Sequence, residues 1–149
     1  MKIRNGFVSN SSSSSFCLIG NHNDELGDEM MDMLVEKYNK DQGTNFSRTS
    51  DKSEEEKQEF YSDVVGMYSG PYYGTVKIDN LIGVYYFDYD EERLRIETTG
   101  IRLSDEFEED DLTVGEIKDR YIKEAKNVLG TNVDRVDVTL IEVESSNEW

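Results

Sequence analysis

Cysteine, histidine and proline each occur once in this chain, and each scarcity closes off some chemistry. A lone Cys17 cannot form an internal disulfide, so a reducing compartment is the expected home. With His22 the sole histidine, a zinc centre of the usual His/Cys kind is excluded. No apolar run approaches the roughly 18 residues that a membrane span needs. Basic residues are also few: 16 Lys and Arg stand against 33 Asp and Glu, a formal net charge of -17. Phosphate backbones and anionic lipid surfaces bind through Lys and Arg, so neither nucleic acid nor membrane is an expected direct partner. A basic protein surface is the chemically easier one, beside the plainer reading that acidity only maintains solubility. No P-loop, dinucleotide fingerprint or nucleophile elbow occurs, and no cofactor or metal is expected. A Cys17–His22 dyad is the one conceivable catalytic pair, but Cys17 lies in an apolar run where packing is its simpler role.

What is present is periodicity. Ser15 to Gly20 has the composition of a short buried strand, followed by Asn21-His22-Asn23 as a helix cap. From Asp24 to Lys40, Leu26, Met30, Met33, Leu34 and Tyr38 make a helical stripe, with acids crowding its first turns. Gly27 interrupts that stripe and weakens it. Residues 41 to 52 lack a period and are expected to loop. Ser53 with Glu56 forms a capping-box pattern opening a second helix to about Gly66, whose inner face would carry Phe60, Tyr61, Val64 and Val65. Thr75–Asp79, Leu81–Tyr89 and Arg93–Thr99 alternate as strands of an antiparallel meander. Thr113 with Glu116 caps a third helix striped by Val114, Ile117, Tyr121, Ala125 and Val128 and stopped by Gly130. Arg135–Glu144 would be a last strand with Val136, Val138 and Leu140 on one face. This order predicts an α+β fold, a mainly antiparallel sheet of about five strands with helices packed on it. The strands flanking the last helix would run parallel through a crossover. The expected layout is a Ser-rich leader over residues 1–15, a single domain over 16–144 and a frayed tail over 145–149.

Three acidic clusters stand out. Glu54-Glu55-Glu56 opens the second helix, and Asp88, Asp90 and Glu92 alternate at a hairpin tip. Such alternation could share a cation, but it lacks the glycine and the distant bidentate Glu of calcium loops, so a charged turn is the simpler reading. The densest cluster is Glu106, Glu108, Glu109, Asp110 and Asp111 around Phe107. It is either a solvated loop or a row of carboxylates able to occupy a basic cleft as a decoy for phosphates. Tyrosine crowds the meander: Tyr85 and Phe87 would face one side and Tyr86 the other, leaving Tyr86 and Tyr89 as candidate surface anchors.

The leader is the most distinctive string. Phe7, Asn10, Ser11, Ser12, Ser13, Ser14, Ser15 and Phe16 place a polar run between apolar flanks. It could be a flexible linker, an ordered loop cradling an anion or a partner's backbone, or an address read by another protein. Lys2 and Arg4 imitate a signal peptide's start, but the serines occupy its greasy centre, and a lipoprotein site before Cys17 is blocked by Phe16. MKIRNGFVSNSSSSSF resembles the N-terminal sequence of many otherwise dissimilar, mostly uncharacterised bacteriophage and bacterial proteins. The resemblance spans Met1 to Phe16 and implies a phage or prokaryotic accessory protein, without specifying chemistry. The leading expectation is therefore a non-enzymatic accessory protein in a bacterial cytoplasm. It would bind a basic protein surface as an inhibitor imitating nucleic-acid charge. A virion-associated or assembly protein directed by its leader is the second reading, and a small enzyme the third.

Overall fold

The computed structural model describes residues 13–46, 53–103 and 113–146. Their elements are β1 (Ser13–His22), α1 (Asp24–Gln42), α2 (Glu54–Met67), β2 (Thr75–Ile78), β3 (Leu81–Asp88), β4 (Arg93–Leu103), α3 (Val114–Leu129) and β5 (Thr139–Ser146). The strands form one five-stranded sheet in the order β2-β3-β4-β1-β5, with every neighbouring pair antiparallel. Because β1 pairs antiparallel with both β4 and β5, those two run parallel to each other with β1 between them. The crossover expected around α3 is there. The fold is α+β.

The helix ends follow local chemistry. The Asn23 side chain caps α1 by accepting from the Leu26 N–H, and Gly43, at a φ of 73°, closes its C-terminus. Ser53–Glu56 and Thr113–Glu116 both form complete capping boxes, starting α2 and α3. Gly130, at a φ of 72°, ends α3.

Side chains from all three helices share one core with the sheet. Met30, Met31, Leu34, Tyr61, Val64, Ile117, Tyr121 and Ala125 pack with Ile19, Val76, Leu81, Ile96 and Ile101. Phe16, Leu18 and Ile82, the alternate positions of β1 and β3, form a second cluster with Tyr72, Val84 and Val143 that contains no helical residue. The helices therefore lie on one side of the sheet. Each large side chain fully buried there contributes about 1.5–3 kcal/mol relative to its exposed state. Between β3 and β4 the register steps from Val84↔Thr98 to Tyr85↔Ile96, leaving Glu97 as an extra residue. This bulge explains how Ile96, Thr99 and Ile101 can all turn to the helices.

Three sequence expectations need correction. Met31 is fully buried on α1 and Met33 only half-buried, so the stripe is centred one position differently from the spacing-based reading. The last strand does not begin at Arg135. Residues Arg135–Asp137 form a 3-10 turn capped by Asp134 and tied to α3 through the Arg135–Asp119 ion pair. Val136 is consequently 82% exposed, Val138 is buried and Leu140 is 48% exposed, so the three do not share an inner face. On β5 it is Ile141, paired with Leu18, that is buried. Val114, placed on the α3 stripe, is also exposed at the helix's first position.

Candidate functional site

The connection from α1 to α2 is built on one amide. Asn39 donates from Nδ2 to the Phe46 carbonyl at 2.7 Å, while its Oδ1 accepts from Thr44 Oγ1 at 2.6 Å and the Phe46 N–H at 3.2 Å. These bonds fold the chain after Gly43 back on itself and deliver the Phe46 ring to α2. There it stacks on Phe60 with centroids 4.0 Å apart and meets Tyr61 edge-on at 5.7 Å. Tyr38, from α1, sets its ring at 83° to Phe60 at 5.2 Å. Offset and edge-on arrangements of this kind match the ring quadrupoles and add about 0.5–1.5 kcal/mol per pair.

The Ser53 cap fixes where α2 begins and so which side chains follow Phe60. Glu56, Glu59 and Asp63 stand beside that ring, three or four residues from it or from one another. Together with Tyr38, Thr44, Asn45 and Phe46 they line an open groove of about 360 Å³. Its floor is aromatic and its rim carboxylate. Glu56 accepts from the Ser53 N–H and Oγ, both at 3.1 Å, and so serves the helix cap. Glu59 and Asp63 are exposed, and among the described residues neither forms an ion pair. At the other end of this helix pair, Tyr68 donates to Asp41 at 3.0 Å, and burial pushes its phenol up to about 12.

A second cluster holds the β3–β4 hairpin to α1. Asp28 receives Arg93 at 3.3 Å and Arg95 at 2.8 Å, and Arg95 also donates to Asp88 at 3.1 Å. Glu91 takes Arg93 at 2.9 Å. The Arg95 hydrogen bond holds the Asp88 carboxyl below its ordinary range. Asp88 Oδ1 also accepts the Asp90 and Glu91 backbone N–H groups, so one oxygen serves the turn while the other takes Arg95. A hydrogen bond shared with Glu54 instead lifts Glu92 above the usual carboxylate value. Among the described residues no group of His, Cys, Asp or Glu is arranged to hold a metal ion, and no helix is long and apolar enough to cross a membrane.

Of the sequence-predicted residues, only some lie within the described ranges, and among these Tyr86 and Tyr89 are set apart. Tyr89 is 83% exposed at the hairpin tip, edge-on to Phe87 at 4.8 Å. Phe87 lines a groove of about 420 Å³ with Tyr89, Leu94, Gln58 and Ser62. Tyr86 is half-buried and turns the other way, beside its cross-strand partner Arg95. The two tyrosines therefore do not act as one anchor. Glu106, Phe107, Glu108, Glu109, Asp110 and Asp111 lie outside the described residues, as do Phe7, Asn10, Ser11 and Ser12. Ser13, Ser14 and Ser15 begin β1, paired with Ser146, Ser145 and Glu144. Phe16 is buried and stacks on Tyr72 at 3.9 Å, with Arg102 over the same tyrosine at 5.4 Å.

Cys17 and His22 cannot form a dyad. Five residues separate them along an extended strand, roughly 16 Å, and their opposite parity puts them on opposite faces. His22 Nδ1 instead meets Thr98 Oγ1 at 2.7 Å.

The groove residues Tyr38, Phe46, Glu59 and Asp63 were not singled out by the sequence as a site. Its one legible part was the Ser53–Glu56 cap with Phe60 after it. Phe46 sits in a stretch with no period, placed by the Asn39 amide alone. Compared with protein-family models, with curated proteins and with solved structures, the chain matches none.

Proposed function

We propose that this protein is a non-enzymatic accessory protein that binds a basic protein surface and, on a nucleic-acid enzyme, inhibits by imitating nucleic-acid charge. The observation that carries this reading is the charge: 33 acids against 16 bases, a net -17 on an ordered α+β scaffold. A field of that sign steers cationic faces toward the domain and turns phosphate backbones away. The carboxylates of α2 support it because they stand on a capped helix, so little ordering is needed at contact. Glu106, Glu108, Glu109, Asp110 and Asp111 would supply further carboxylates, with Phe107 as an apolar contact among them and Tyr89 as a separate exposed anchor. The setting is a bacterial cytoplasm under phage control, following the likeness of residues 1–16 to phage and bacterial leaders.

The test is capture of host proteins on the immobilised full chain at 50 mM and 500 mM salt. The partner is expected to be basic, to elute at the higher salt, and to bind at least tenfold more weakly when Glu108, Glu109 and Asp110 are changed to lysine. Binding indifferent to both changes, or tight binding of the protein to bare DNA or RNA, rejects the reading.

The leader favours a second reading. Its occurrence before dissimilar proteins suits an address, in which case the protein is packaged into or assembled with a virion. Mass spectrometry of purified particles separates the two, because an inhibitor of host enzymes need not be packaged.

A further inference from the structure

We infer that the groove between α1 and α2 is a pocket for an arginine side chain of a protein partner. The inference rests on the basic-surface reading and says where on this chain, and through which side chain, that surface is gripped. Three observations lead to it. The floor is made of aromatic rings held by one another and by Asn39 rather than by a ligand: Phe46 on Phe60 at 4.0 Å and Tyr38 edge-on at 5.2 Å. The rim carries Glu59 and Asp63, one helical turn apart and so roughly 6 Å from each other. The cavity, about 360 Å³ and open to solvent, has room for a side chain entering from outside.

These features specify the occupant's chemistry. An apolar side chain would find the floor but would have to desolvate two carboxylates without pairing them, which is unfavourable. A carboxylate or phosphate would be repelled by the rim. A lysine ammonium satisfies the rim, but it is a compact and strongly hydrated charge that gains little from ring faces. A guanidinium is planar, weakly hydrated and five times a donor. It stacks on Tyr38 and Phe60 while its edges donate to Glu59 and Asp63. Glu56 is already engaged in the Ser53 cap, so it contributes field rather than a contact.

The hairpin offers a comparison within the same molecule. There two guanidiniums, Arg93 and Arg95, already fill the carboxylates of Asp28, Asp88 and Glu91. Among the described residues, the groove has the carboxylates and the rings without a cation.

The experiment titrates the full chain with hexa-arginine and with hexalysine at low salt, following the ring resonances of Tyr38, Phe46 and Phe60. Hexa-arginine is expected to bind at least fivefold more tightly than hexalysine and to shift those rings. The preference is expected to vanish in an E59Q/D63N variant, and to survive in an E36Q/D137N variant that removes the same charge elsewhere. Both variants change exposed positions, and their unfolding curves show whether the fold is kept. Equal affinity for the two peptides, or ring resonances that do not move, overturns the groove and leaves the charge reading standing. Loss of the preference in both variants also overturns it, since only the overall field would then matter. Failure of both peptides to bind at 20 mM salt overturns the charge reading and the groove together.

Discussion

Tyr121 and Thr99 are both fully buried, and their hydroxyls meet at 2.7 Å between α3 and β4. A buried hydroxyl without a partner costs about 1–3 kcal/mol, so Tyr121→Phe, which orphans Thr99 Oγ1, is expected to lower stability by about 1 kcal/mol at neutral pH. The same residue sets an alkaline limit. Burial pushes the Tyr121 phenol from 10.0 to about 12. A phenol raised on folding contributes stability that is whole below its unfolded value and disappears as pH climbs through the folded one. Wild type should therefore weaken between pH 10 and about 12 more steeply than the phenylalanine variant, and the gap between them should close. Chemical unfolding at several pH values reads both effects. Asp28 is the other residue on which much depends. It joins α1 to two guanidiniums, one of them on the 6%-exposed side chain of Arg93, whose Nη1 has no hydrogen-bond partner among the described residues. Removing one partner of a buried ion pair leaves charge uncompensated, so Asp28→Ala should cost about 3 kcal/mol. A free energy of unfolding from urea titration that falls by less than a quarter of that would show the hairpin to be held by packing alone.

At the scale of elements, Gly27 shows how a local rule can mislead. A glycine inside α1 looks like a weakness of about 1 kcal/mol relative to alanine. In the fold, a Cβ at this position would lie 1.8 Å from the Ile96 carbonyl oxygen, because α1 runs directly against the backbone of β4. Gly27→Ala should thus destabilise by at least about 2 kcal/mol despite improving helix propensity, and a stabilised variant in thermal unfolding would refute that placement. The elements that short-range chemistry controls were legible beforehand: Ser53–Glu56, Thr113–Glu116, Asn23 and Gly130 mark helix ends where side chains and backbone within four residues decide the matter. The elements set by distant partners were not. The bulge at Glu97 depends on β3 facing it, and the inner face of β5 depends on where the 3-10 turn releases the chain to pair with β1. The groove belongs to the second kind as well, since Phe46 meets Phe60 only after Asn39 has folded the intervening chain.

Over the whole molecule the charge makes two opposite demands. With 33 acids and 16 bases, compaction brings like charges together, and their mutual repulsion weakens the folded state. Salt screens that repulsion: the Debye length falls from about 10 Å at 0.1 M to about 3 Å at 1 M. The ion pairs around Asp28 are partly buried and screened much less, so their loss does not offset the gain. The protein should therefore melt several degrees higher at 1 M sodium chloride than at 20 mM. Binding to a basic face runs the other way, because the same screening removes the attraction that draws the partners together. One titration of salt should then raise the melting temperature of the free chain and lower its affinity for hexa-arginine. The two curves together separate the causes. If stability fell with salt, specific ion pairs rather than repulsion would dominate the fold. If affinity were flat while stability rose, the excess of carboxylates would serve solubility and not recognition.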